Sequence, residues 1–246
     1  MSAGFCGWTM EAAEYDRMDA VEQDMWWYRA LHRRLLTALA GVDGALLDVG
    51  CGTGGLLARL RACRPDLRLT GLELGEFASR RAAAKSGALV ARGSVNGLPF
   101  ADASFDAVVA ADLLCHDGVD PTQALSEVRR VLRPGGRAVI NMPAYAWLLS
   151  AHDRQVHNVR RFTAGQLRAL MCDAGFGGVK ASYWNGMLLP FVIAQRKLLA
   201  RQGSTSDVAA FPPWIDATFH TITEIERRLP FHLPTGSSVL ATGERP

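Results

Sequence analysis

The chain has 246 residues and carries 27 Lys and Arg against 24 Asp and Glu, a formal net charge of +3. This length predicts one large domain or one domain with insertions. The arginines are scattered rather than grouped, which argues against nucleic acid as a partner. The five cysteines lack CxxC and metal-ligand spacing, so we expect free thiols in a reducing compartment. The sequence shows no signal-peptide pattern and no apolar stretch long enough to span a bilayer, and it therefore predicts a cytoplasmic protein.

Residues 1–44 precede the first predicted strand, and we expect them to form an N-terminal helical lid. The apolar spacing over residues 20–40 predicts a single helix. Trp27 and Tyr28 lie on this helix, where they either pack against the domain or cover a cofactor and bind an acceptor substrate.

A glycine-rich turn follows residues 45–49, whose apolar side chains predict a buried strand. Gly50 and Gly52 allow the backbone to approach a ligand closely, and the helix predicted after the turn begins with free N–H groups. Three interpretations are open: a dinucleotide site, an S-adenosylmethionine site, and a turn without a ligand. The Gly-x-Gly-x-x-Gly spacing matches the dinucleotide fingerprint. However, Asp48 would repel a pyrophosphate and suits the ammonium and sulfonium groups of S-adenosylmethionine.

Strands and helices alternate along the following part of the chain. The second predicted strand, residues 68–72, ends at Glu73, which lies 23 residues after Gly50. This separation is typical of an acid that binds ribose hydroxyls. Further strands are predicted at 88–91, 105–112 and 137–142, with helices at 77–87 and 121–132. The alternation indicates a doubly wound parallel sheet with its ligand crevice at the carboxyl ends of the strands.

Three motifs occur in a fixed order. Residues 48–54 are Asp-Val-Gly-Cys-Gly-Thr-Gly, residues 98–106 are Leu-Pro-Phe-Ala-Asp-Ala-Ser-Phe-Asp, and residues 127–136 are Glu-Val-Arg-Arg-Val-Leu-Arg-Pro-Gly-Gly. In order and spacing they resemble the motifs of class I S-adenosylmethionine-dependent methyltransferases, over roughly residues 45–185. The resemblance implies an α/β fold with a doubly wound, mostly parallel, seven-stranded Rossmann-like sheet. Its last strand, at 237–243, would lie antiparallel beside the sixth, at 178–184.

The resemblance also implies the cofactor, S-adenosyl-L-methionine, and its contacts. The backbone at Gly50 and Gly52 would hold the methionyl part, Glu73 would hold the ribose, and Ser94 stands on the adenine loop where the family often has Asp. The expected cofactor-binding residues are Asp48, Gly50, Cys51, Gly52, Glu73, Leu74, Ser94, Val95, Asp112 and Leu113.

Residues 141–162 are expected on the acceptor side of the crevice. His152, Asp153 and His157 are candidate catalytic residues, because a hydroxyl or amine that attacks a methyl group must lose its proton. The alternative is that these polar residues only tie down a long loop by hydrogen bonds. For His116 we favour a structural role, and no metal site is expected from the spacing of the histidines. The candidate acceptor-binding residues are Tyr145, Trp147, Arg161, Trp27 and Tyr28.

The segment 185–236 is longer than a connection between two strands requires, so it is predicted to be a helical insertion or cap. The core would then comprise residues 45–184 and 237–246. Helices are predicted at 188–201 and 215–229, with a mobile loop at 203–207. The insertion either closes the acceptor pocket or contacts a membrane surface or lipid through the basic residues of 187–201.

These observations predict a methyltransferase that moves a methyl group to O, N or C of a small, apolar or aromatic metabolite by in-line displacement. One alternative is a lipid-like or membrane-associated acceptor. An alternative of another class is a partner protein that binds the cofactor without catalysis. A nicotinamide-dependent oxidoreductase is disfavoured by Asp48 and by the second and third motifs. The oligomeric state and the identity of the acceptor are left open.

Overall fold

The computed structural model describes residues 12–202 and 211–246. Its sheet has seven strands in the order β3-β2-β1-β4-β5-β7-β6. Strand β7 pairs antiparallel with both β5 and β6, while β1, β2, β3, β4 and β5 pair in parallel. The predicted fold class is thereby confirmed. The strands are β1 Ala45–Val49, β2 Arg68–Glu73, β3 Leu89–Arg92, β4 Phe105–Ala111, β5 Leu132–Pro143, β6 Gly177–Trp184 and β7 Ser238–Glu244.

Helices cover both faces of the sheet and extend from its edge. They are α1 Ala12–Val21, α2 Trp26–Ala38, α3 Gly55–Cys63, α4 Glu76–Ser86, α5 Pro121–Val131, α6 Ala151–Gln155, α7 Ala164–Asp173, α8 Leu189–Gln202 and α9 Pro213–Arg227. The loop predicted at 203–207 lies outside the described residues. Among the residues that are described, no helix is both long and apolar enough to cross a membrane.

The central strands are buried on both faces, as their continuous apolar runs require. In β1, Leu46 packs with α2 and α3 through Leu35 and Leu57, whereas Leu47 packs with the opposite helix α5 through Leu125. None of these five side chains has exposed surface. Because β1, β2 and β4 run parallel, their carboxyl ends lie at one edge of the sheet, and the loops that follow them converge there.

The single helix predicted over 20–40 is wrong, because the chain breaks into α1 and α2. Met25 has extended backbone (φ −66°, ψ 135°) and no side-chain cap of its own. The free N–H of Trp26 instead donates to Asp216 Oδ1 on α9, at 2.7 Å. The residue that caps this helix lies 190 positions away in the sequence, so the residues around the helix start give no sign of it.

Strand β5 begins at Leu132, five residues before the predicted start at 137. Helix α5 ends at Val131, and the Pro-Gly-Gly stretch at 134–136 belongs to the strand. Gly135 N donates to Arg245 O at 2.7 Å, and Arg245 N donates to Gly136 O at 2.9 Å. Pairing with the last residues of the chain therefore extends β5 beyond what its own composition indicates.

Helix α2 of the predicted N-terminal lid and helix α9 of the predicted insertion pack against each other in one helical layer. Arg34 of α2 forms an ion pair with Glu226 of α9, with 3.3 Å between Nη2 and Oε1, and both side chains are at most 7% exposed. The two oxygens of Glu226 also accept the backbone N–H groups of Asn185, at 2.6 Å, and Met187, at 2.9 Å. One buried carboxylate thus joins the lid, the insertion and the end of β6.

Replacing Arg34 by Ala is expected to lower the free energy of unfolding by about 3–5 kcal/mol, because it leaves the buried Glu226 charge without its partner. The matched control is Arg33→Ala on the same helix. The Arg33 side chain, which pairs with Glu224, is 44% exposed. The expected loss of unfolding free energy in this variant is therefore below about 1 kcal/mol. Urea denaturation of both variants measures the difference, and equal losses would contradict the buried network.

Candidate functional site

A cavity of about 460 Å³ lies at the carboxyl ends of β1, β2 and β4. Its wall is built by the glycine turn after β1, the loops after β2, β3 and β4, and the helical layer of lid and insertion. All ten predicted cofactor-binding residues lie on this wall: Asp48, Gly50, Cys51, Gly52, Glu73, Leu74, Ser94, Val95, Asp112 and Leu113.

The glycine turn is held by backbone hydrogen bonds and borders open space. Gly50 N and Cys51 N both donate to Leu72 O on β2, at 2.8 and 3.0 Å. Gly52 has a positive φ of 53°, and a Cβ placed on it would meet no atom within 4 Å. A Cβ on Gly54, in contrast, would lie 2.7 Å from Ala82 Cα of α4. The turn therefore needs glycine at position 54 for packing, while the space beside Gly52 is open to a ligand.

Glu73 stands at the end of β2, where the sequence places it, and is only 7% exposed. Its Oε2 accepts Gly52 N at 3.0 Å, and its Oε1 accepts Gly75 N at 2.9 Å and the Tyr15 hydroxyl at 3.1 Å. A carboxylate offers about four lone-pair sites, so these donors leave capacity for a further hydroxyl. Glu73 thus connects the glycine turn with the lid at the predicted ribose position.

Several carboxyl groups line the cavity and give it a negative potential, and burial shifts the pKa of two of them. Burial, with Glu73 and Glu22 nearby, raises the pKa of Asp48 to about 7. Burial also raises the pKa of Asp112 to about 7, although Asn141 Nδ2 donates to its Oδ1 at 2.9 Å. A bound cation would favour the charged form of both acids. These carboxylates fit a ligand that carries an ammonium and a sulfonium group.

Comparisons with known proteins bear on this site. A family model described as a methyltransferase domain matches residues 47–140. The malonyl-[acyl-carrier protein] O-methyltransferase of Geobacter sulfurreducens is 32% identical over 191 residues, which cover 69% of this chain and 68% of the relative. The chain belongs to the class I S-adenosylmethionine-dependent methyltransferases. The predicted family is confirmed, and with it the enzyme class and the cofactor of the family.

Two further matches place the methyltransferase among its relatives. The ubiquinone/menaquinone biosynthesis C-methyltransferase of Desulfotalea psychrophila is 36% identical, over 52% of this chain and 53% of the relative. A solved methyltransferase from Thermotoga maritima, described as a possible histamine N-methyltransferase, has a TM-score of 0.64 at 21% identity and 95% coverage of both chains. That likeness shows the shared fold. The chain spans about half the length of the first curated relatives it matches.

Asp153, a candidate catalytic residue of the methyltransferase, accepts hydrogen bonds through both of its carboxylate oxygens. It is 1% exposed and accepts two hydrogen bonds from Arg161 Nη2, at 2.7 and 2.9 Å. Its Oδ2 also accepts from Ser150 N at 2.8 Å and from Arg196 Nη1 of α8 at 3.1 Å. Burial by itself would raise the pKa of Asp153, but the positive charges of Arg161 and Arg196 lower it below the ordinary value. The carboxylate therefore ties residues 150–161 to α8.

Three described histidines lie on the cavity wall: His32 on α2, and His116 and His157 on the loops beside the carboxyl ends of the strands. His157 is exposed and has left-handed backbone, φ 57°, as do the neighbouring wall residues Asp112 and Asn185, φ 52° and 60°. His116 lies with its Nδ1 3.0 Å from Val156 O. Since a carbonyl only accepts, Nδ1 carries the proton and Nε2 keeps its lone pair. Burial lowers the pKa of His116. The side chain of His152 lies outside what the structure describes.

The candidate acceptor-binding residues divide into two groups. Trp27, Tyr28 and Arg161 lie on the cavity wall. Tyr145 and Trp147 do not, so the structure does not bring them to the expected acceptor site. Tyr145 stacks on Tyr183, with 5.2 Å between ring centroids, and Trp147 is 60% exposed.

Several wall residues have no counterpart among the sequence-based candidates. His116 could have been included from its position shortly after β4, but its fixed tautomer depends on a loop far along the chain. The others come from the lid and the insertion, whose placement over the cavity the sequence does not specify. They include Tyr15, Met18, Glu22, Asn185, Val192, Arg196 and Phe211. Among the residues that the structure describes, no three His, Cys, Asp or Glu side chains could hold a metal ion together.

Glu73→Ala is expected to weaken binding of S-adenosylhomocysteine, the demethylated cofactor, by roughly 10- to 100-fold. This is the cost of losing charged hydrogen bonds to ribose, about 1.5–3 kcal/mol. Isothermal titration measures it, with Glu76→Ala as the control, because Glu76 is half exposed and pairs with Arg80. Loss of acceptor affinity equal to the loss of cofactor affinity would refute the ribose role.

The preference for the sulfonium over the neutral thioether is expected to increase as the pH rises from about 6 to about 8. Below pH 7, Asp48 and Asp112 take up protons and lose the charge that attracts the cation, whereas above it they are ionised. The measurement is the ratio of affinities for S-adenosylmethionine and S-adenosylhomocysteine, in which the titration of their shared ammonium cancels. Asp112→Asn is expected to flatten the profile, and an unchanged profile in this variant would exclude Asp112.

Proposed function

We propose that this methyltransferase moves the methyl group of S-adenosylmethionine to an O, N or C atom of a small apolar or aromatic metabolite. One observation carries the proposal: the cavity that contains the glycine turn continues onto an apolar wall formed by the lid and the insertion. Trp26, Trp27 and Leu31 come from α2, while Val192 and Phe211 come from the insertion. A volume of about 460 Å³ lies within the usual range of small-molecule sites, roughly 300–1,000 Å³.

The chemistry places two demands on the protein. S-adenosylmethionine supplies an activated methyl group, and the chain must hold the acceptor atom in line with it, which contributes through proximity and orientation. A hydroxyl or amine acceptor must also lose a proton. His157 and His116 border the same cavity, and a correctly placed base typically contributes 10²–10⁴-fold, as an order-of-magnitude estimate.

We assign Asp153 a positioning role in place of direct proton transfer. Both of its oxygens already accept from Arg161, and Ser150 and Arg196 bind the second. A carboxylate held in this way, with a lowered pKa, is a weak proton acceptor. Its ion pairs instead fix the loop that presents His157.

The relatives support a small acceptor and leave the attacked atom open. One is named for O-methylation of a malonyl carrier-protein substrate, and the other for C-methylation in ubiquinone and menaquinone biosynthesis. A lipid-like acceptor held through residues 187–201 has less support, because Arg196 of that helix binds Asp153 inside the protein. A partner protein that binds the cofactor without catalysis is the alternative of another class.

The function is tested by incubating the protein with S-adenosylmethionine and a panel of phenols, quinols and carboxylic acids, and by searching for products that have gained one methyl group. We expect turnover of at least one apolar or aromatic member. Binding of S-adenosylhomocysteine without any methylated product, from this panel or from a metabolite extract, would favour the non-catalytic alternative.

His157→Ala is expected to lower kcat by about 10²–10⁴-fold, because a general base is lost, with the affinity for S-adenosylhomocysteine unchanged. His116→Ala is the companion variant. Wild-type turnover in His157→Ala would remove that residue from the reaction, and a selective loss in His116→Ala would move the role of base to His116. The pH profile of kcat/KM in each variant separates loss of a base from loss of loop structure.

A further inference from the structure

A second, smaller cavity of about 180 Å³ lies among α2, α3, α9 and the turn between α1 and α2. All of its wall residues are polar, and none is a carboxylate. They are Gln23, Arg29, His32, Arg33, Arg59 and His220. His32 lies on the wall of the larger cavity as well, so the two cavities adjoin.

The arginines of this wall carry more positive charge than the neighbouring carboxylates neutralise. Arg29 pairs with Asp216, and Arg33 pairs with Glu224 at 3.2 Å. Glu224 is shared with Arg227, at 2.9 Å. Arg59 is exposed and has no ion pair or hydrogen bond within the described part of the chain. An anion in this cavity would therefore meet uncompensated positive charge.

Several buried polar groups here lack partners. Among the described residues, His220 Nδ1 and Arg29 Nε are buried without a hydrogen bond. His32 is only 7% exposed, and its ring makes no hydrogen bond in the same part of the chain. Burial, followed by the charge of Arg59, lowers the pKa of His32 to about 4. Buried polar groups without partners cost free energy unless water or a ligand satisfies them.

From this arrangement we infer that the smaller cavity binds a phosphate-type anion, that is, a phosphate or diphosphate group. Its side chains present mainly N–H donors, and the planar guanidinium group matches phosphate oxygens with paired hydrogen bonds. The location suggests two sources for the anion. It is either a free phosphate, or the phosphate end of an acceptor whose apolar body occupies the larger cavity beyond His32. The anion site itself does not depend on the proposed methyl transfer. Only the second source of the anion, an acceptor that carries a phosphate group, rests on the proposed function.

The site is tested by titrating the whole protein with inorganic phosphate and then pyrophosphate at constant ionic strength. We expect saturable binding in calorimetry, with shifts of the His32 and His220 imidazole resonances. Arg59→Gln is expected to weaken binding by about tenfold or more, because a charged hydrogen bond is lost. The control is Arg80→Gln, an arginine that is 80% exposed on α4. Non-saturable binding, or equal affinities in the two variants, would overturn the inference.

A spectroscopic readout distinguishes binding in the cavity from loose association at the surface. Burial, Arg29 and Arg33 hold the pKa of His220 below its ordinary value, against the opposing effect of Glu224 and Asp216. A bound phosphate would raise the pKa of His220 in the wild type and raise it less in Arg59→Gln. An unchanged His220 titration at saturating phosphate would also overturn the assignment.

Phenyl phosphate distinguishes the two sources. Tighter binding of phenyl phosphate than of inorganic phosphate, further strengthened by S-adenosylhomocysteine, would indicate an anion carried by the acceptor. Equal binding would indicate a free anion. S-adenosylhomocysteine binding is measured in the same samples, so the two proposals are tested independently. Cofactor binding without phosphate binding would refute only the anion site. Phosphate binding without cofactor binding would refute only the proposed function.

Discussion

The geometry of the cofactor cavity depends on the carboxylate of Glu73. This side chain accepts hydrogen bonds from Gly52 in the glycine turn, Gly75 before α4 and Tyr15 on the lid. Three segments that are separate in sequence are therefore oriented by the same buried charge. Hydrogen bonds to a charged group are stronger than neutral ones. A ligand that binds the Glu73 carboxylate would therefore alter the hydrogen bonds of the glycine turn and of the lid together.

A second set of buried charges holds the helical layer beside the cavity. Glu226 binds Arg34 of α2 and the backbone after β6, while Asp153 binds Arg161 and Arg196 of α8. Buried ion pairs contribute little net stability compared with apolar packing, but they penalise any arrangement that separates the partners. They therefore determine how the helical layer sits on the sheet.

Much of the sheet and the donor half of the cavity could be predicted from the sequence, because both depend on local patterns. The apolar strands, the glycine turn and Glu73 follow from periodicity and spacing. Asp120 and Thr163 are residue types that favour helix N-caps, and their side chains accept the corresponding hydrogen bonds at α5 and α7. The start of α2 and the extent of β5 could not be predicted, since partners far along the chain determine both. Part of the cavity wall, including Tyr15, Val192 and Phe211, was missed for the same reason. Tyr145 and Trp147 are aromatic residues in the expected loop, but nothing in their spacing indicates that they turn away from the cavity.

The cap of α2 constrains how this protein can be rearranged. The first N–H of that helix and the Arg29 guanidinium both bind Asp216, which belongs to the insertion. An insertion without an acidic residue at this position would leave the start of α2 uncapped. Helices α2 and α9 would therefore have to be exchanged together in a recombinant chain, although strands β1 to β6 lie between them in sequence.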